Sequence, residues 1–237
     1  MTATSPSIPT APVLQPPPLF APVAPCIYRS ATPPPSSHAF LSTLHLKTIL
    51  SLTSELPSTS LQSYARKNGI RFIHFGPYSS SFPQASSASA SAPFSLPAFA
   101  SSSSLFNSTA ATTTASPPTI AAPISSTITT ETLKDSLQLL LDSSNHPILV
   151  TDTSGIQETG ILLACLRKLQ RWNFATILVE YRNFAGNRAR AANERLIEMF
   201  DTDLITLPQQ EDLPAWFAQQ VAWDEDELDR RRMGEML

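Results

Sequence analysis

Two cysteines and four histidines are all that a chain of 237 residues carries, and their scarcity removes several chemistries at once. Cys26 lies ahead of the first core segment and Cys165 on an apolar stripe, so they give no disulfide framework and agree with a reducing compartment. His38, His45, His74 and His146 show no metal-ligand spacing among themselves or with the cysteines, and neither metal nor cofactor is expected. Six glycines leave no nucleotide loop: Gly155 and Gly160 stand as Gly-x4-Gly, but Ile161-Leu162 fills the Lys-Ser/Thr place. Charged residues are only 15% of the chain and the formal net charge is −3. The basic residues form no stripe interleaved with exposed aromatics, so nucleic acid is not an expected partner. No apolar run approaches the roughly 20 residues of a membrane helix. Prolines interrupt the N-terminus too often for a signal peptide, and a transit peptide's arginines are missing. The expected compartment is the cytosol, with the nucleus left open.

Charge is missing outright from two tracts. Residues 1–25 are Pro-rich and uncharged, and 79–130 is a Ser/Ala/Thr/Pro tract without Asp, Glu, Lys, Arg, His or Gly. Such composition cannot bury enough apolar surface to order itself. The expected organisation is a disordered N-terminus over 1–20, one domain over 21–207 interrupted by a disordered insertion over 79–130, and a helical tail over 208–237. Roughly 160 residues outside the two tracts suffice for one core.

Strand and helix patterns alternate along that remainder. Cys26–Ser30, Lys47–Leu52, Ile70–Phe75 and Ile148–Thr151 read as strands. Helices are expected from Ser36 or Ser37 to Leu44, over 58–68 with Gly69 as its stop, from Thr129 or Thr130 through Leu141, over 174–185 with Gly186 as its stop, and over 193–200. Their inward residues include Phe40, Leu44, Leu61, Tyr64, Leu137, Ile177, Leu178, Tyr181, Phe184 and Ile197, and Trp172 should anchor a turn between two helices. The fold class is therefore α/β, a mainly parallel central sheet flanked by helices. In the tail, Trp216, Phe217, Val221 and Trp223 precede a charged run. Either they fold back onto the domain or they present a partner-binding helix.

The most telling stretch is Ile148-Leu-Val-Thr-Asp-Thr-Ser-Gly-Ile-Gln-Glu-Thr-Gly160. An apolar strand feeds nine residues that lead into a helix, with Ile161, Leu162, Cys165, Leu166 and Leu169 on its apolar face. A loop at the carboxyl end of a strand and the N-terminus of a helix points backbone N–H groups inward and suits an anion.

Several blocks give this frame a family. Cys26-Ile-Tyr-Arg-Ser30, Asn68-Gly-Ile-Arg-Phe72, Asn145-His-Pro-Ile-Leu-Val150, Cys165-Leu-Arg-Lys-Leu-Gln-Arg-Trp172, Glu180-Tyr-Arg-Asn-Phe-Ala-Gly186 and Arg195-Leu-Ile-Glu-Met-Phe-Asp201 occur in family order and spacing. On these the chain resembles the plant and fungal atypical dual-specificity phosphatases, cysteine-dependent enzymes acting on inositol pyrophosphates or phosphotyrosine. The resemblance implies their fold and, at the loop, a His-Cys pair, five residues, then Arg-Thr-Gly. This chain departs there. Thr151 stands for the His, Asp152 for the nucleophilic Cys and Glu158 for the Arg, while Gly155, Thr159 and Gly160 keep the frame.

A charge pair at about 4 Å is worth roughly 4 kcal/mol at an effective dielectric near 20, against about 0.3–2 kcal/mol from a helix terminus. Two ionised carboxylates in the loop should therefore repel a phosphate dianion, and phosphate binding is doubtful. The usual replacements are also missing: Cys165 reads as inert core, and the 79–130 tract offers no general acid. Asp152 as an aspartyl nucleophile lacks the acidic or Lys-Thr-Gly continuation that such chemistry uses. Arg188 and Arg190 could pair with Asp201 or Asp203, face water, or mark a relic anion site. The expected protein is a catalytically inactive member serving as scaffold or regulatory subunit, with active paralogues as the partners the resemblance implies. An active phosphatase and a non-hydrolysing phospho-ligand module are the alternatives.

Overall fold

Short strands that are apolar on both faces need cover on both sides, and helices supply it. The computed structural model describes residues 14–76 and 128–235, so most of the uncharged N-terminus and of the insertion lies outside the described residues. Strands Ala21–Ala24 (β1), Ile27–Ala31 (β2), Thr48–Ser51 (β3), Arg71–His74 (β4) and Ile148–Asp152 (β5) form one sheet in the order β1-β2-β5-β3-β4. β5 is central, parallel to β2 from Ile27–Ile148 to Ala31–Asp152 and to β3 from Thr48–Ile148 to Ser51–Thr151. All five of its residues are buried, as a doubly covered parallel strand requires. β4 extends the parallel set, and β1 pairs antiparallel to β2 at the opposite edge.

Side-chain alternation divides the core in two. Ile49 and Leu149 face a smaller cluster with Leu41, Leu61 and Ala65, supplied in part by helices His38–Ser42 (α1) and Thr59–Lys67 (α2). Leu50, Ile148 and Val150 face the larger one. To it contribute Thr130–Leu141 (α3), Glu158–Leu169 (α4), Phe174–Ala185 (α5), Ala191–Met199 (α6) and the start of Ala215–Glu235 (α7). α4 is buried from Thr159 through Arg167; a helix apolar all round belongs inside the protein.

Local signals explain most boundaries. The side chains of Ser58, Thr129 and Asn173 accept N–H groups from the first turns of α2, α3 and α5, and Gly69 and Gly186 take positive φ after α2 and α5. Lys168 in α4 donates to the carbonyls of Ile197, Glu198 and Phe200 at 2.9, 2.8 and 2.7 Å, meeting the orphan acceptors at the end of α6. Arg167 forks onto Glu180 at 2.8 and 2.9 Å and reaches the Val23 carbonyl at 3.1 Å. That guanidinium ties α4 to both α5 and β1.

Four expectations need correction. β1 was not anticipated, because its proline reads as loop; an edge strand tolerates the missing N–H. The helix expected to reach Leu44 is a 3-10 turn over Pro35–Ser37 followed by five residues of α1, and Ser37 makes no capping bond. Leu178 and Phe184 are only half-buried on α5. Trp172 is 42% exposed and lies with its ring 4.2 Å from the Arg167 guanidinium carbon. The first part of the tail folds back onto the domain. Phe217 is buried, Trp216 packs on the core and Gln220 donates to the Leu169 carbonyl at 2.7 Å, whereas Trp223 is 64% exposed. Among the described residues no helix is long and apolar enough to cross a membrane.

Candidate functional site

β5 ends at Asp152 and α4 begins at Glu158, so the turn between them lies at the carboxyl edge of the sheet, as the sequence indicated. Its entry is pinned to the chain following β2: the Asp152 carbonyl accepts from the Thr32 N–H at 2.8 Å and its hydroxyl at 3.0 Å. Gly155 holds the middle at φ +72°, where a Cβ would sit 2.5 Å from the Ala31 nitrogen. Positive φ and close approach to a neighbouring strand together demand glycine. Its carbonyl accepts from Arg29 Nη2 at 2.8 Å.

The Asp152 side chain turns into this loop. The residue is fully buried. Oδ1 accepts the N–H groups of Ser154, at 2.7 Å, and of Gly155, together with the Ser154 hydroxyl at 3.2 Å. Oδ2 accepts the N–H of Thr159, in the first turn of α4, at 2.9 Å. Charge-assisted bonds of this kind are roughly twice as strong as neutral ones. Three backbone N–H groups of the loop and the helix start are thus engaged by a carboxylate of the chain itself.

Glu158 stands beside it. Burial pushes its carboxyl up to about 7; the Asp152 charge and a side-chain hydrogen bond with Asp152 push the same way, while its own N–H and the Arg190 charge oppose them. Behind the loop lies Arg29, 2% exposed, with its guanidinium carbon 3.7 Å from the centre of the Phe184 ring. Burial pulls it down to about 10 against the charges of Glu180 and Asp152, which leaves it a cation at neutral pH. Its Nε has no hydrogen-bond partner, nor have the buried hydroxyls of Ser30 and Thr159.

The far wall comes from the region around α6. Asn193 Nδ2 donates to Gln157 Oε1 at 2.7 Å and to the Tyr181 hydroxyl at 3.0 Å, and Gln157 donates to the Arg188 carbonyl at 3.1 Å. A Cβ on Gly160 would meet the Tyr181 ring at 3.0 Å. Close packing of α4 on α5 is therefore what glycine serves at that position.

The structure brings Asp152, Gly155, Glu158 and Thr159 together. Thr151, fully buried, points its hydroxyl at its neighbour's carbonyl, 3.4 Å away. Cys165 is fully buried and its thiol is pushed up to about 12 by that burial, so it is no nucleophile. Cys26 precedes β2 at the opposite end of the sheet, about 16 Å from the loop at strand spacing. The pairs of Arg188 and Arg190 with Asp201 or Asp203 do not form among the described residues; Asp201 instead accepts from the Asp203 N–H at 2.9 Å. Two participants escaped the sequence reading. Arg29 stands within the Cys26–Ser30 block but had no role attached to it, although a lone cation between apolar strand positions hints at burial, and the Gln157–Asn193–Tyr181 set lies on three separate elements.

Similarity to known proteins now has a geometry to rest on. A protein of Dictyostelium discoideum named "Probable tyrosine-protein phosphatase DG1060" is 34% identical over 191 residues, covering 80% of this chain and 90% of that one. Inositol diphosphatase DSP4 of Arabidopsis thaliana is 32% identical over 186 residues, 78% of this chain and 73% of its own length. The core catalytic domain of the PP-IP phosphatase SIW14 from S. cerevisiae has a similar structure, with a TM-score of 0.58 at 28% identity over 81% of this chain and 90% of that one. With the model of the tyrosine phosphatase family matching residues 14–219, the chain belongs to that family.

Proposed function

We propose that this protein is a pseudophosphatase, a family member without turnover that acts as a scaffold or regulatory subunit for active relatives. One observation supports the reading: Asp152, which the resemblance puts in the nucleophile's place, is a buried carboxylate that accepts the N–H groups of Ser154, Gly155 and Thr159. Glu158 occupies the place of the phosphate-clamping Arg. A carboxyl cannot supply a guanidinium fork in any protonation state, and phosphate would meet negative charge where the family holds it. The partner is proposed as a paralogue of the same family.

The test is turnover by the purified chain on inositol pyrophosphate, a phosphotyrosine peptide and an aryl phosphate. Rates at the buffer background are expected, and capture from the native cell should bring down a phosphatase-family protein. Robust activity lost in Asp152→Ala would overturn the reading. The relatives are named as phosphatases, which favours one rival, an active phosphatase; in this chain it would have to use Asp152 or some other group as nucleophile. That rival requires magnesium dependence and a trappable acyl-phosphate, and the burial of Asp152 argues against it.

A further inference from the structure

Family loops of this shape close around an anion supplied from outside, yet this one is closed around its own. The two oxygens of Asp152 bind opposite sides of the turn: Oδ1 takes the Ser154 and Gly155 N–H groups, and Oδ2 takes the Thr159 N–H at the helix start. Buried N–H groups left without acceptors are costly, so something must occupy their centre. The fit is incomplete in one informative respect. Thr159 is fully buried and its hydroxyl has no partner, although its N–H grips Oδ2. A carboxylate offers two oxygens to donors that a tetrahedral anion would meet with four. Beneath the loop, the Arg29 cation holds the Gly155 carbonyl, and its Nε is likewise unmatched and buried.

We propose that the Asp152 carboxylate is a built-in ligand that holds the loop in its anion-gripping form, and that removing it opens a site for inorganic phosphate in the same place. This goes beyond absence of turnover: the loop is shut by an intramolecular contact, and its cradle is latent rather than lost. It rests on the reading of Asp152 as occupant of the nucleophile's place.

The experiment compares the full chain with Asp152→Ala by thermal unfolding in 50 mM phosphate and in chloride of equal ionic strength. In chloride, Asp152→Ala lowers Tm by about 6–15 °C, because several buried donors lose their acceptor. Phosphate restores about 4–9 °C of that in the variant, as a millimolar ligand would. The wild-type chain, already occupied, gains less than about 2 °C, the general effect of an excluded salt. Asp152→Ala with Glu158→Gln, which removes the remaining carboxyl, recovers more than the single variant. Should a variant fail to fold in chloride, its refolding yield in phosphate and the line width of inorganic phosphate in 31P NMR report the same site.

Equal phosphate effects on wild type and both variants, with no broadening of the phosphate line, would overturn the proposal. Turnover by the wild-type chain is a separate outcome. It would sink the pseudophosphatase reading while leaving phosphate rescue of Asp152→Ala intact, so the two failures are distinguishable.

Discussion

Residue by residue, the loop's chemistry comes down to the Glu158 carboxyl. Glu158 is held at about 7 by burial and by Asp152, against an ordinary value of 4.5. Between those values the folded chain keeps a proton that the unfolded chain releases. Stability from this group is therefore complete below about pH 4.5 and lost as pH rises through about 7. The side chain is partly open to water, so screening reduces the effect to about 1–2 kcal/mol. Glu158→Gln should flatten that limb of the stability–pH curve, measured by urea unfolding from pH 4.5 to 7.5; an unchanged slope would show that Glu158 does not titrate there. Gly155→Ala should cost about 2–4 kcal/mol by the same measurement, since a Cβ would strike the Ala31 backbone at a positive φ. That Thr151, Asp152 and Glu158 belong to one strand-to-helix loop was legible because Gly155, Thr159 and Gly160 frame it. That the Asp152 side chain folds back into the loop was not, because the direction of a side chain at a strand end is set by its surroundings.

At the scale of elements, legibility followed local chemistry. α5 begins and ends where Asn173 and Gly186 say it should, because both signals act within one turn. β1 and the brevity of α1 depend on what lies beside them in the sheet, and no local pattern encodes an edge pairing. The tail divides by contact. Phe217 is buried and Trp223 is not, so Phe217→Ala should lose about 3–5 kcal/mol and Trp223→Ala stay within about 0.5 kcal/mol. Chemical denaturation of the pair separates a docked first half of α7 from an exposed second half, and similar losses would show that both halves pack. Lys168 offers a parallel case in which one side chain closes three carbonyls. Lys168→Met should cost about 1–3 kcal/mol and speed amide exchange at the end of α6, where Lys168→Arg keeps part of the contact.

For the molecule as a whole, the decisive fact is where the chain leaves and re-enters its core. Phe75, just after β4, packs against the larger cluster, and Ile128, just before α3, is 3% exposed within it. The two flanks of the uncharged tract thus share one hydrophobic body built from residues on either side of it. Closing a loop of about 50 residues is entropically dearer than closing one of about 10 by roughly 1.4 kcal/mol, from the logarithmic dependence on length. Replacing residues 79–125 by a ten-residue Gly/Ser linker should therefore leave the domain folded, with a single cooperative unfolding transition. It should raise Tm by about 3–5 °C. The Glu158-dependent limb of the pH profile should also persist in the shortened chain, because Asp152, Glu158, Arg190 and the strands that hold them all lie outside the deleted segment. A fall in Tm of more than about 5 °C would mean that the tract supplies packing to the core, and would require its treatment as part of the domain rather than as a passenger within it.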